Sequence, residues 1–229
     1  MWNGKKKALT FSFDDCVTQD IRLIKILNKY GLKGTFNINS SLLGLPGELD
    51  RNSHIVRHDK VSPEKFAEIY QGHEIAVHTL THPTLTTLPD ETVVYQVEED
   101  RKALSKLCGY EVVGMAYPNG PYDERVANLI EKRTGVKYSR TVKSTRDFTP
   151  QKSDLLRFHP TIYYIEEDFE EIVDKFLASE SEEDQLLYIW GHSYEMDAEY
   201  ITWEKFENIC KKLAFKEDIF YGTNKEVLL

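Results

Sequence analysis

The residues of this chain that could do chemistry are two histidines four positions apart, His78 and His82, and an earlier aspartate pair, Asp14-Asp15. Two neutral imidazoles and one carboxylate form a ligand set that suits a divalent metal such as zinc. Three protein ligands leave one coordination position open for water, which is typical of catalytic rather than structural sites. The other aspartate could accept a proton from that water, so the pattern favours a hydrolase.

Each of these features also has a simpler explanation. An Asp-Asp pair after a strand commonly caps a turn or a helix. Histidines four apart are often neighbours on one face of a helix. His192, in Trp-Gly-His-Ser, could be a core histidine bonded to backbone. We treat the remaining four as structural or surface residues, namely His54, His58, His73 and His159.

The candidate residues lie where predicted strands end. These strands are Lys7–Phe13 before Asp14-Asp15, His73–His78, Val112–Tyr117 before the turn Pro118–Gly120, and Gln185–Trp190 before His192. Helical patterns lie between or after them, at Asp20–Tyr30, Asp90–Leu107, Asp123–Arg133, Asp168–Ala178 and Trp203–Lys212. Alternating strands and helices predict an α/β fold with a mostly parallel sheet. Ligand sites in such folds gather at the carboxyl ends of the strands, so we expect one site at one rim.

Length, charge and cysteine content narrow the class of protein. At 229 residues the chain has the length of one α/β barrel, and we expect a single catalytic domain over residues 1–229. A net charge of −9 argues against nucleic acid or an anionic membrane as partner. Three scattered cysteines form no disulfide framework, which favours a reducing compartment. With no apolar run of signal or membrane-spanning length, we expect a soluble, cytoplasmic protein of unknown oligomeric state.

Three segments resemble successive motifs of the NodB-type polysaccharide deacetylases, a family of carbohydrate esterases. They are Phe11-Ser-Phe-Asp-Asp15, His78-Thr-Leu-Thr-His82 and Ile189-Trp-Gly-His-Ser193. The order and spacing of the motifs agree with the family's. The resemblance implies a deformed (β/α) barrel of seven or eight strands and a carbohydrate or other small N-acyl substrate.

The resemblance also implies a role for each candidate residue. Asp15, His78 and His82 would hold the metal, which would be zinc, with cobalt, nickel or manganese as alternatives. Asp14 would be the general base and His192 the general acid. The turn Met115-Ala116-Tyr117-Pro118-Asn119-Gly120 resembles the family's oxyanion segment, in which the backbone N–H that maps to Asn119 helps to bind the oxyanion. Ser144–Phe148, which includes Arg146 and Asp147, faintly resembles the fourth motif, which tunes the acid.

The chain departs from the family's pattern at three positions. The glycine after the aspartate pair is Cys16, so the conformation that glycine permits could be lost, and a thiol lies beside the metal site. The arginine that tethers the catalytic carboxylate is Ala116, and Arg140, Arg146 or Arg157 could replace it. The motif's tyrosine is Asn119, which is harmless if only its backbone acts.

Three functions remain open from the sequence. The first is metal-dependent de-N-acetylation of an N-acetylated sugar or oligosaccharide. The second is hydrolysis of a cyclic amide or ureide with the same metal and base. The third is a catalytically weak carbohydrate-binding protein on the same fold.

Overall fold

Strands and helices alternate along the computed structural model, which describes residues 2–229. Within these residues the strands are β1 (Lys7–Asp14), β2 (Gly34–Ile38), β3 (Glu48–Arg51), β4 (His54–Arg57), β5 (Glu74–Val77), β6 (Gly114–Ala116), β7 (Tyr138–Arg140), β8 (Ile162–Tyr163), β9 (Gln185–Gly191) and β10 (Ile219–Tyr221). The α-helices are α1 (Asp20–Lys29), α2 (Phe66–Ile69), α3 (Asp90–Cys108), α4 (Glu124–Arg133), α5 (Phe169–Ala178), α6 (Trp203–Leu213) and α7 (Asn224–Leu228).

Eight of the strands form one parallel sheet in the order β7-β6-β5-β2-β1-β9-β8, with β10 paired to the first half of β1. The sheet curls, and a single parallel bridge between Arg140 of β7 and Phe158, just ahead of β8, links its two edges. The expected α/β fold, a deformed barrel of seven or eight strands, is confirmed. Because the strands are parallel, their carboxyl ends share one rim of this barrel.

The central strand β1 shows how the sequence builds the two sides of the sheet. Leu9, Phe11 and Phe13 belong to the main hydrophobic cluster, which includes the inner faces of α1 and α6. Ala8 belongs to a second cluster with Tyr188 and other residues of β9. Successive side chains of a strand alternate between faces, so the even-numbered positions of β1 face away from α1 and α6. Asp14 is the last of these positions.

The antiparallel hairpin of β3 and β4 is an addition that the hydrophobic pattern does not indicate. The two strands are joined by Asn52 and Ser53, both with positive φ, which makes a two-residue turn. Among the helices of residues 2–229, none is both long enough and apolar enough to cross a membrane.

Candidate active site

A cleft of about 540 Å³ opens at the carboxyl ends of the strands. Its floor contains the residues that the sequence analysis singles out: Asp14 and Asp15 after β1, His78 and His82 after β5, and His192 after β9. Tyr117, Asn119 and Gly120, from the turn after β6, line the same cleft, whereas Pro118 does not. The structure therefore gathers strand ends that lie far apart in the sequence into one place.

Asp15, His78 and His82 present one ligand atom each, and these three atoms all lie within 4.8 Å of one another. Nε2 of His82 lies 3.5 Å from Oδ1 of Asp15, and Nε2 of His78 lies 3.9 Å from the same oxygen. Nδ1 of His78 lies 2.9 Å from the carbonyl oxygen of Ala116. Because a carbonyl only accepts, Nδ1 must carry the hydrogen, which leaves the lone pair of Nε2 facing the cluster.

The protonation state of His78 suits a metal ligand. Its side chain is buried, and burial lowers its pKa to about 4. The imidazole is therefore neutral at neutral pH, which is the form that binds a metal. Two imidazole nitrogens and one carboxylate are a donor set for zinc or a similar divalent ion, so these residues fit the metal that the family pattern implies.

Asp15 has a partner that the sequence analysis missed. Nε2 of His58, in the segment after β4, lies 3.2 Å from Oδ2 of Asp15, the carboxylate oxygen that His78 and His82 leave free. Nζ of Lys60 donates to the backbone oxygen of Asp15 at 2.7 Å. Burial would raise the pKa of Asp15, but the hydrogen bond from His58 and the nearby charges hold it well below its ordinary value.

Asp14 is held from two sides. Arg140 donates from one guanidinium nitrogen to both carboxylate oxygens, at 2.6 Å to Oδ1, and Nδ2 of Asn37 donates to Oδ1 at 2.8 Å. Burial alone would raise the pKa of Asp14, yet the charge of Arg140 is the largest of the effects that lower it below its ordinary value. Asp14 is thus kept ionised.

Arg140 supplies the guanidinium that Ala116 cannot. It is fully buried, and its guanidinium carbon lies 4.3 Å from the ring centre of Trp190, over the ring face. The other two candidates are not brought to Asp14, because acidic neighbours hold their side chains elsewhere. Arg146 pairs with Glu166 and Asp168, and Arg157 pairs with Asp154.

His192 faces Asp14 from the end of β9. Its Nε2 lies 3.8 Å from Oδ2 of Asp14, and its Nδ1 lies 3.1 Å from Oε1 of Glu195. Glu195 also accepts from the backbone N–H of His192 at 3.0 Å and from the hydroxyl of Tyr163. Burial lowers the pKa of His192, which makes its protonated form a stronger acid.

The structure does not bring Asp147, the acidic residue of the segment that resembles the fourth motif, to His192. Asp147 is exposed, and its carboxylate accepts from the backbone N–H of Thr149 within its own loop, while Phe148 packs on Phe176 of α5. Glu195 occupies the place beside His192 instead. Glu195 follows His192 by three positions, and a helical turn after a strand end brings residue i+3 back to residue i. This spacing is the sequence signal that could have identified Glu195.

Cys16 keeps the backbone conformation that a glycine would permit, with a φ of 54°. Its thiol is buried, and Sγ lies 3.3 Å from the hydroxyl oxygen of Tyr70. Burial raises the pKa of the thiol well above its ordinary value, so it is not a reactive thiolate.

Comparisons with known proteins identify the family. Residues 2–139 match the family model described as polysaccharide deacetylase. Peptidoglycan-N-acetylglucosamine deacetylase PgdA of Listeria monocytogenes is 26% identical over 127 residues, which are 54% of this chain and 24% of that protein. Chitin deacetylase 1 of Cryptococcus neoformans is 36% identical over 59 residues, 26% of this chain and 13% of that protein. The matched parts thus span a quarter or less of these relatives.

Solved structures with low identity share the fold. Peptidoglycan deacetylase PdaC from Bacillus subtilis aligns over 97% of this chain and 90% of its own, with a TM-score of 0.55 and 19% identity. A family 4 carbohydrate esterase from Streptomyces lividans, in complex with acetate, aligns over 96% of this chain and 92% of its own, with a TM-score of 0.55 and 16% identity. Because the family model covers more than half of the chain, this protein belongs to the polysaccharide deacetylase family.

Proposed function

We propose that this protein is a metal-dependent hydrolase that removes the acetyl group from an N-acetylated sugar or oligosaccharide. The proposal is carried by one juxtaposition: the cluster of Asp15, His78 and His82 adjoins Asp14, which Arg140 keeps ionised. Support comes from two similar proteins, which are a peptidoglycan-N-acetylglucosamine deacetylase and a chitin deacetylase.

Asp15, His78 and His82 would hold the divalent ion, which the donor set suggests is zinc, with cobalt, nickel or manganese as substitutes. When bound, such an ion supplies Lewis acidity, which polarises a carbonyl and lowers the pKa of a water molecule from 15.7 to about 7. His58 would keep the carboxylate of Asp15 oriented through the oxygen that faces away from the histidines.

The other residues of the cleft would move protons and stabilise charge. Asp14 would accept a proton from the attacking water while a C–O bond forms at the amide carbon. The backbone N–H of Asn119 would donate to the oxyanion that develops on the carbonyl oxygen. His192, oriented by Glu195, would donate a proton to the amine nitrogen as the C–N bond breaks. The products are acetate and a free amine.

Acetate release from N-acetylglucosamine oligomers tests the proposal. We expect release by protein loaded with zinc or cobalt, and no release after chelation. Asp14→Asn should lower kcat by about 10²–10⁴-fold, since that is the usual contribution of general-base catalysis. Asp147→Asn is the matched control, because this exposed aspartate lies outside the cleft, and it should leave kcat unchanged.

The same experiment separates the alternatives. Ring opening of cyclic amides without acetate release would favour the cyclic amide or ureide hydrolase. Oligosaccharide binding with no metal-dependent turnover of either substrate class, and no effect of Asp14→Asn on any rate, would favour the carbohydrate-binding protein.

A further inference from the structure

The guanidinium that steadies Asp14 is itself held by an aromatic ring. The guanidinium carbon of Arg140 lies 4.3 Å from the ring centre of Trp190, and the side chain of Arg140 is fully buried. Among residues 2–229, Arg140 forms an ion pair with no carboxylate other than that of Asp14. The face of Trp190 therefore supplies support that a second carboxylate would otherwise give, because a ring face attracts a guanidinium most strongly where water is excluded.

The ring of Trp190 also packs against the ring of Tyr163. Tyr163 in β8 and Trp190 in β9 are register partners in the parallel sheet, and their rings stack with centres 4.0 Å apart and an angle of 18° between planes. At such short distances one face of a ring has room for only one group, so Arg140 and Tyr163 lie on opposite faces. Trp190 is thus the middle layer of a stack that begins with Arg140 and ends with Tyr163.

The Tyr163 end of this stack reaches the candidate acid. The hydroxyl of Tyr163 donates to Oε1 of Glu195, and the same oxygen lies 3.1 Å from Nδ1 of His192. The hydroxyl oxygen of Tyr163 itself lies 3.4 Å from Nδ1 of His192. Glu195 is buried, so a displaced Tyr163 would take away a hydrogen bond that bulk water cannot replace. The position of Tyr163 therefore bears on the orientation of His192.

The stack crosses the barrel where the sheet is least connected. Within residues 2–229 the two edges of the sheet, β7 and β8, are linked by a single backbone bridge between Arg140 and Phe158. Arg140 belongs to β7 and Tyr163 to β8, so the stack joins these edges through side chains. A change in the middle ring therefore acts where no ladder of backbone hydrogen bonds fixes one edge against the other.

We propose that Trp190 is a positioning residue for both the base and the acid, an inference that rests on the proposed function. One face of its ring holds Arg140 against Asp14. The other face holds Tyr163 against Glu195, which orients the acid. Attack by water and departure of the amine need both groups at the same carbon, so a rigid ring between their supports keeps the two groups in register with each other.

Two substrates with different leaving groups test this inference. The amine that leaves N-acetylglucosamine oligomers needs a proton from the acid, whereas p-nitrophenolate leaves p-nitrophenyl acetate as a stable anion; both reactions need the base. Tyr163→Phe keeps the stacked ring but loses the hydroxyl, so it should slow acetate release from the oligomers about tenfold and leave hydrolysis of the ester unchanged. Trp190→Leu should slow the ester about tenfold and the oligomers about 100-fold, because it loosens the supports of both groups.

A conservative variant and the division between kcat and KM sharpen the test. Trp190→Phe keeps a ring face and should restore most of both rates. The losses in Trp190→Leu should fall on kcat, with the KM for the oligomers changed less than about twofold. Equal losses on the two substrates, or an unchanged rate with the ester, would overturn the inference. A raised KM with a normal kcat would also overturn it, because Trp190 would then act by binding the sugar.

Trp203→Leu is the matched control. Trp203, in α6, is also buried against an arginine, with the guanidinium carbon of Arg22 4.4 Å from its ring centre, and it does not line the cleft. Urea unfolding should show a loss of stability in both leucine variants, as for other large-to-small changes in a core. The rates of folded Trp203→Leu protein should equal those of wild type. Equal falls in the rates of Trp203→Leu and Trp190→Leu would overturn the inference, because general destabilisation would then explain both.

Nuclear magnetic resonance of the protein as isolated keeps the two proposals separate. The Nε–H signal of Arg140, assigned by its loss in Arg140→Lys, should exchange at least about tenfold faster in Trp190→Leu than in wild type. Trp190→Leu should also shift the imidazole signals of His192, whereas Tyr163→Phe should shift those of His192 alone. This pattern in a protein that releases no acetate would refute the deacetylase and leave the shared support standing. Unchanged exchange at Arg140 in Trp190→Leu would refute the shared support even where acetate is released.

Discussion

At the scale of single residues, two adjacent carboxylates reach one cleft but have separate partners. Consecutive residues of a strand point to opposite faces, which would send Asp15 away from Asp14. Asp15 instead has a φ of 82°, in the left-handed region that non-glycine residues seldom adopt. This turn out of β1 brings its carboxylate to His58, His78 and His82, while Asp14 stays with Arg140. One residue can then bind a metal while its neighbour remains a base.

His58 provides the prediction at this scale. His58→Ala should weaken zinc binding by about 10–100-fold, because outer partners of ligating carboxylates typically contribute that much to metal affinity. Competition with a chromophoric chelator measures the change. His58→Gln keeps a hydrogen-bond donor and should restore part of the affinity. His54→Ala, in the same hairpin but paired with Glu199, is the control, and equal zinc affinity in all four proteins would exclude an orienting role for His58.

At the scale of elements, the turn after β6 fixes the backbone that would face the oxyanion. Asn119 and Gly120 both have positive φ, and the N–H of Gly120 donates to the oxygen of Tyr117. The side chain of Asn119 donates to the hydroxyl of Thr84 at 3.0 Å, which ties the turn to the segment after His82. The substitution of the family's tyrosine by asparagine therefore has a local structural use, because asparagine tolerates the left-handed region.

Gly120→Ala should test whether this turn must keep its shape. Gly120 has a φ of 90°, and a Cβ added to it would lie 2.6 Å from Cγ2 of Val142. The turn must therefore shift. We expect kcat to fall at least about tenfold, with zinc affinity unchanged, as for the loss of an aligned oxyanion donor. Gly109→Ala, at the end of α3, has a φ of 74° and open space around its Cβ. Gly109→Ala should lose only the stability that its left-handed backbone costs, about 1–2 kcal/mol, and should keep a normal kcat. A normal kcat in Gly120→Ala as well would argue against the oxyanion role.

The sequence predicts the ends of the buried strands well, but it does not predict the hairpin of β3 and β4 outside the main sheet. The buried strands are readable because they are β-prone, largely apolar segments that end in polar residues, as in β1 and β9. The hairpin of β3 and β4 is mostly exposed and lacks this pattern, so neither it nor His58 could be placed. The choice of Arg140 needed the barrel itself, because only the register of β7 shows which arginine points at Asp14. The match to the family model ends at residue 139, one position before Arg140.

At the scale of the whole molecule, a buried carboxylate joins parts of the chain that surround the cleft. Asp20, at the start of α1, accepts from the hydroxyl of Ser193 at 2.6 Å and from that of Tyr70 at 2.7 Å. All parts of the candidate site come from strand ends or loops around the same sheet. We therefore propose that residues 1–229 act as a single catalytic domain.

Asp20 makes the stability of the metal-free protein depend on pH. Burial raises its pKa to about 7, above the value near 3.9 of an unfolded aspartate. The contribution of Asp20 to the free energy of unfolding is complete below about pH 4 and is lost as the pH rises through about 7. Between these values the native state still holds a proton that the unfolded chain has released. This loss is on the order of 4 kcal/mol.

Asp20→Asn cannot ionise, so its free energy of unfolding should fall less than that of wild type between about pH 4 and pH 8. Urea unfolding of both proteins in the presence of a chelator measures the difference. Parallel pH curves for the two proteins would show that Asp20 is not protonated in the native state.

The ion pair of Asp14 and Arg140 joins strands separated by 126 positions along the chain. The three proposed metal ligands all lie within the first 82 residues, while Arg140 and His192 follow much later. During synthesis from the N-terminus, the residues proposed to hold the ion are therefore made well before those proposed to steady the base and to act as the acid. In the proposed mechanism, hydrolysis therefore requires the completed barrel, because its base is steadied and its acid supplied only by the later part of the chain.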